Sequence, residues 1–444
     1  MLKACMTRAD ITPPLGLTLE GYPHYPRHNT GAHDPLYAAC MYLDNGKEEV
    51  AMVTLDLLFL SKQHVIAIRK EVEKKCGIKG TNIMISCSHT HSGPMASSSI
   101  DLDTIINQIQ QPKEYVEFLK NKIIEIICEA KANAFEAKFA RGTEICGAES
   151  GIGGNRRAPG GPHDPLVSVW AIKDTNDVIR GAMVNYTLHP TFIHEWSTVC
   201  TADYPCYLKL EMEEKYTDCL VGFAQGASGN QSSRYYRQGE SYDEAERVGR
   251  TLGKAANKVL ENAIWTDELD IRVAGKEVDV ELREFKTVEE LQAEVDRDKA
   301  IYEELYAKYG KSENREEYYL WQNANLKCLG SENQLGYALA REKGLKIEVL
   351  EDEIPAEIQI FALGDLAIIG IPGEMFVEFS IYLKAMSGFY MTVVNELSNG
   401  DLPGYLCTPE SAVTGGYEVG ASMLDINFGR HFIEHILDTI ELVK

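Results

Sequence analysis

The 444-residue chain is poor in positive charge: 44 lysines and arginines face 67 aspartates and glutamates, a formal net charge of −23 at pH 7. Such a surface repels polyanions, which argues against nucleic acid or an anionic membrane as the main partner. No apolar run approaches the roughly 18 residues of a membrane span, so no integral membrane segment is expected. The opening stretch MLKACMTRADITPPLG lacks an apolar core of signal-peptide length. No Cys-x-x-Cys pair occurs, and the 11 cysteines are odd in number and scattered. That speaks against a zinc ribbon or a disulfide frame and for reduced, buried thiols. Together these absences point to a cytoplasmic protein. Pro- or Gly-rich linkers, low-complexity tracts and solenoid repeats are missing too, which favours a single domain over 1–444.

What is present is an α/β pattern. Short runs rich in Val, Ile, Met and Tyr, YAACMYL and EVAMVTLDLLFL, read as strands, the second ending near Asp56, and TNIMISCSHTHSG reads as a buried strand running into a loop. SKQHVIAIRKEVEKKCG, KEYVEFLKNKIIEIICEAKANA and YDEAERVGRTLGKAANKVLENA read as amphipathic helices. The expected fold is a mixed β-sheet core flanked by helices. Between about 284 and 343 the composition turns to Glu, Lys, Gln and Tyr at helical spacing, which predicts an inserted helical pair, either a surface hairpin or a lid. One internal echo stands out: GAHDPLYAACMYLDN at 31–45 and GPHDPLVSVWAIKD at 161–174. It reads either as two equivalent β-units or as one turn used twice.

Strand-to-loop junctions are where α/β folds place reacting groups. Four junctions here end in polar or metal-capable residues: SHTHSGP with His89 and His91, NYTLHPT with His189, FAQGASGNQSS, and IIGIPGEMF with Glu374. His89, His189 and Glu374 make a two-histidine, one-carboxylate set of the kind a catalytic metal uses. Two residues along an extended segment, His91 should point the same way as His89. Asp203 reads either as the partner that orients a ligand histidine or as a helix N-cap. HFIEH at 431–435 matches an inverted zinc-peptidase string. Too little chain follows it to supply a further ligand, and a surface helix explains it. His24, His28 and His33 read as pocket-rim or turn residues.

Taken in order, TRADITPPLGLTLEGY, SCSHTHSGP, LHPTFIHEWSTVCTADYP, FAQGASGNQSS, IPGEMF and GYLCTPESAVTGGYEVGAS resemble the catalytic domain of the neutral, non-lysosomal ceramidases. That family consists of zinc amidases that cleave the N-acyl bond of ceramide. The resemblance implies a Zn2+ cofactor held by His89, His189, Glu374 and Tyr405. It also implies a substrate side formed by His91, Tyr417 and Arg156, with Arg157 a rival for the last. Ser232 matches the family's serine, but Asn230, Ser233 and Arg234 replace the Asp, Pro and Asn around it. The expected attacker is a zinc-activated water, with Glu374 or His91 moving protons and Ser232 assisting.

The absence of the family's immunoglobulin-like domain and of an export signal directs expectation to a smaller amide or ester in place of a bilayer lipid, ceramide itself remaining the family precedent. Two alternatives stay open: a non-catalytic metal- or ligand-binding protein on the same fold, and a zinc hydrolase of esters or glycoconjugates. Partners are a small or lipid-like amide and, in an oligomeric state the sequence leaves open, further copies of the chain.

Overall fold

The computed structural model describes residues 1–22, 25–96, 112–344 and 353–444. Twelve main strands fall into three consecutive units of identical topology. The first contains β1 (Lys3–Asp10), β2 (Tyr37–Asp44), β3 (Glu49–Leu55), α1 (Lys62–Cys76), β4 (Ile83–Cys87) and α2 (Lys113–Ala132). The second contains β5 (Phe135–Ile145), β6 (Leu166–Asp174), β7 (Ile179–Tyr186), α3 (Tyr204–Lys215), β8 (Leu220–Gln225) and α4 (Tyr242–Glu261). The third contains β9 (Ile271–Val278), α5 (Val288–Tyr309), α6 (Arg315–Glu342), β10 (Ala356–Leu363), β11 (Leu366–Gly370), α7 (Val377–Met386), β12 (Met391–Asn395) and α8 (Phe428–Glu441). In each unit the first three strands pair antiparallel, and a helix crosses over to a fourth strand parallel to the third.

The first two units join edge to edge through β1 and β5, giving an eight-stranded sheet in the order β8-β7-β6-β5-β1-β2-β3-β4. The third forms a four-stranded sheet, β9-β10-β11-β12, packed face to face on the first. Strands such as β2, β3, β4, β10 and β11 are therefore buried on both faces, which is why they read as continuous apolar runs. In β2, Ala38, Cys40 and Tyr42 pack under α1 and α2, while Ala39, Met41 and Leu43 enter the space between the sheets. Helices cover the outer faces of both sheets.

The sequence echo is two equivalent β-units: each His-Asp-Pro turn delivers the second strand of its unit. The aspartates are buried and act as clasps. Asp34 accepts from Thr201 Oγ1 and the Ala202 amide ahead of α3, and Asp164 accepts from Lys384 on α7. Glu353 sits at the corresponding place before β10 and accepts the Lys62 amide at the start of α1. Each unit thus grips the crossover helix of the next, in a cycle.

The helical pair predicted between 284 and 343 is α5 and α6. Thr287 caps α5 in a reciprocal box with Glu290, and Asn314 caps α6. The pair does not stand free of the body. Gly330 of α6 meets Gly420 so closely that a Cβ added to Gly420 would lie 2.8 Å from the Gly330 Cα. Glycine at position 420 is what permits that backbone contact, since a Cβ on Gly330 would meet nothing nearer than 3.4 Å. All 11 cysteines are free thiols. Among the described residues, no helix is long and apolar enough to cross a membrane.

Candidate metal and active site

The C-terminal ends of strands from all three units meet at one point. His89 follows β4, His189 follows β7 and Glu374 follows β11; all three are buried. His89 does not continue the strand. Its φ of 65° puts it in the left-handed region, a conformation that costs a non-glycine residue about 1–3 kcal/mol and is tolerated where surroundings fix it. The expectation that His89 and His91 align by strand alternation is therefore corrected. They converge through a turn, Nε2 to Nε2 at 3.3 Å. Gly21, with φ of 106°, lies against that turn, and a Cβ there would sit 2.6 Å from His91. Arg27 fixes it from the other side, donating to the carbonyls of His91 at 2.7 Å and Glu20 at 2.8 Å.

His189 donates Nδ1–H to the Ser228 carbonyl at 2.8 Å, and the His89 Nδ1 faces the Leu58 carbonyl at 3.5 Å. With their protons on Nδ1, the two Nε2 lone pairs face each other at 3.2 Å. Glu374 Oε2 joins them at 3.1 Å from His189 and 3.4 Å from His89, and it is buried without a hydrogen-bond donor. Three electron pairs pointed at one another in a dry site repel unless a cation lies between them. The donor set thus fits a metal ion. His91 also belongs to the cluster, since ligand nitrogens of His89, His91 and His189 all lie within 4.8 Å of one another.

The charge states agree with that fit. Burial, reinforced by the Arg156 charge, pushes His189 down to about 3, so its ring is neutral. Burial and the two neighbouring imidazoles hold His91 well below its ordinary value. Burial and the Glu374 charge raise the Tyr405 phenol well above its usual range, against the pull of Arg156.

The remaining sequence-predicted residues surround this cluster. Tyr405 pairs with Glu374 in a two-residue parallel ladder. A cavity of about 160 Å³ is lined by His91, His189, Arg156, Ser232, Tyr405 and Tyr417. A second, of about 130 Å³, is lined by His89, His91, Glu374, Tyr405 and Tyr417. α6 supplies walls to both, through Leu326 and Leu329 in one and Asn333 and Tyr337 in the other. Arg156 donates to Glu418 and to the Gly229 carbonyl, each at 2.8 Å, and its guanidinium lies 5.6 Å from the Tyr405 ring. Its rival Arg157 instead turns to Glu418, Thr414 and Gly415.

Several readings are settled by these contacts. Asp203 is a helix cap, accepting from Tyr204 N at 2.6 Å, and it clamps the loop after His189 through the Phe192 and Ile193 amides at 2.9 Å. It does not touch a ligand imidazole. Asn230 is fully engaged: Oδ1 accepts from Val377 N at 3.0 Å, and Nδ2 donates to Glu378 at 2.7 Å. His431 pairs with Glu281 and His435 with Lys276 on the surface, so HFIEH carries no metal cluster. His33 stacks on Tyr242, ring centroids 3.9 Å apart; His24 lies outside the described residues.

Sequence reasoning missed Ser228 and Glu396. Glu396 is fully buried at the end of β12, takes the Ser228 hydroxyl at 2.5 Å and the Met375 amide at 2.9 Å, and so braces the segments bearing His189 and Glu374. Burial and the Glu374 charge raise its carboxyl well above the usual range.

No protein-family model matches the sequence. Among solved structures, the neutral ceramidase from Pseudomonas aeruginosa superposes with a TM-score of 0.74 at 17% identity, covering 100% of this chain and 74% of that one. A ceramidase complexed with C2 gives 0.75 at 16% identity, covering 100% and 75%. The chain therefore carries the fold of the neutral ceramidases.

Proposed function

We propose that the protein is a zinc-dependent hydrolase of C–N amide bonds, acting on a linear N-acyl amide smaller than ceramide. The observation that carries this reading is the set of facing donors, His89 Nε2, His189 Nε2 and Glu374 Oε2, buried where three units meet. Tyr405, beside Glu374 in the ladder, supplies the fourth donor. Nitrogen and oxygen donors of this kind suit Zn2+. Bound there, the cation supplies a Lewis acid that lowers the pKa of water and polarises a carbonyl.

The chain's own groups then divide the work. Water adds its oxygen to the acyl carbon, the C–N bond breaks, and the products are a carboxylic acid and an amine. His91 faces the cavity with a neutral ring and carries the proton to the departing nitrogen. Arg156, anchored on Glu418, and Tyr417 position the substrate, and the Ser232 hydroxyl assists at the same wall. Asn230 is occupied as a helix cap, so its replacement of aspartate leaves the donor set intact.

The test combines metal analysis with turnover. Purified protein is expected to hold about one zinc per chain and to hydrolyse short N-acyl amides, and His89→Ala is expected to lose both. Wild-type protein that holds stoichiometric zinc yet turns over no amide or ester would instead identify a binding protein.

A further inference from the structure

Resting on that reading, the charge balance of the inner cavity goes further. Its lining holds three arginines, Arg156, Arg234 and Arg237, and one carboxylate, Glu195. Glu195 is taken by His194 at 3.0 Å. Arg237 is paired with Glu240 and also meets His194 at 2.7 Å and the Thr191 carbonyl at 3.1 Å. Arg156 is paired with Glu418, which Arg157 shares from its other oxygen at 2.7 Å. One carboxylate therefore already serves two guanidinium groups.

Arg234 differs from these. Among the described residues it forms no ion pair, and its guanidinium has one hydrogen bond, a 3.5 Å contact to Asn323 Oδ1. Its backbone is held: the amide donates to Ser232 Oγ at 3.2 Å, and the carbonyl accepts from Tyr319 of α6. Burial and the nearby Arg156 charge lower its pKa against the pull of Glu418, although the residue is only half-buried. Arg234 also lines the neighbouring cavity of about 500 Å³ with Arg156, Leu326 and Tyr417, so it stands on the wall between inner and outer chambers. In a chain of net charge −23, a half-buried guanidinium on a cavity wall with no ion-pair partner among the described residues is a ready site for an anion.

We propose that Arg234, with Arg156, binds an anionic group of the substrate, which makes the substrate an amide carrying a carboxylate close to the scissile bond, as in an N-acylated amino acid. The carboxylate lies at the boundary between the two chambers, and the carbonyl lies toward His91.

The experiment compares N-acylglycine with the uncharged N-acylethanolamine of the same acyl chain, on wild type, Arg234→Ala and Arg234→Lys loaded with zinc. Wild type should favour the glycine conjugate. Arg234→Ala should raise KM for it about 10- to 100-fold more than for the ethanolamide, the loss expected for one charge-assisted hydrogen bond. Arg234→Lys should recover part of that loss. Equal losses on both substrates, or no wild-type preference, would overturn the proposal. Calorimetric binding of N-acylglycine to His89→Ala, with and without Arg234→Ala, separates this inference from the hydrolase reading. Binding that depends on Arg234 sustains the anion site even where wild type hydrolyses neither substrate; absent or Arg234-independent binding refutes it.

Discussion

If the facing donors hold a cation, removing one of them must abolish a stabilisation that the metal confers. For a ligand that binds only the folded state, the gain is RT ln(1 + [L]/Kd), about 4.1 kcal/mol at a thousandfold excess over Kd. Unfolding entropy near 60 °C is about 2.1 cal/mol/K per residue, which for 444 residues gives roughly 0.9 kcal/mol/K. Zinc at that excess should therefore raise the melting temperature of the chelated protein by about 4–5 °C. In His189→Ala or Glu374→Gln, a thousandfold weaker Kd leaves about RT ln 2, or roughly 0.4 kcal/mol, and a shift under about 1 °C. Differential scanning calorimetry of the chelated proteins, with and without zinc, measures both. Equal shifts in wild type and both variants would show that the metal binds elsewhere, and the argument from facing lone pairs would fail.

Other consequences follow from single contacts. His91→Ala should cut kcat by about 10²–10⁴ while keeping full zinc content; loss of zinc in that variant would make His91 a ligand and not the proton carrier. Asn230→Asp should destabilise the fold by about 1–3 kcal/mol in urea unfolding, because it sets a carboxylate 2.7 Å from Glu378; Glu378→Gln in the same chain should recover it. Burial pushes Glu353 up to about 7, its carboxyl accepting the Lys62 and Asp401 amides. A raised carboxyl binds its proton more tightly when folded, so its contribution is complete below about pH 4.5 and is lost as pH rises through 7, by up to about 3 kcal/mol. Glu353→Gln should flatten the fall in stability between pH 5 and 8, and an unchanged slope would remove Glu353 from the account.

The elements were legible because burial on both sheet faces leaves long apolar runs between polar helix caps. The donors were legible as residue types at strand ends, and His89, His189 and Glu374 do converge. Their geometry was not. The reading of His89 and His91 assumed an extended segment, whereas φ of 65° at His89 makes a turn, a choice that depends on the Leu57 carbonyl and Gly21 packing around it. Asp203 looked equally suited to two roles, and only the amides of Phe192, Ile193 and Tyr204 decide between them. The third unit was hidden because its clasp is Glu353 before Ile-Pro, not His-Asp-Pro, and because α5 and α6 separate its first two strands. Glu396 carried no local mark at all: its importance lies in Ser228, 168 positions away in sequence.

The three-unit architecture also accounts for why the donors are unlike one another. His189 lies three residues past the end of β7 and Glu374 four past the end of β11, whereas the carboxylate that follows β3, Asp56, lies one residue past its end. Asp56 is diverted: it accepts the Tyr37 amide at 2.8 Å and binds Lys209 through both oxygens at 2.8 and 2.6 Å, within the body and away from the cavity. The first unit therefore supplies its donor from the end of its fourth strand, His89, by way of the strained turn. A carboxylate at that place would set a second buried negative charge beside Glu374 Oε2, which already lacks a hydrogen-bond donor, whereas an imidazole adds none.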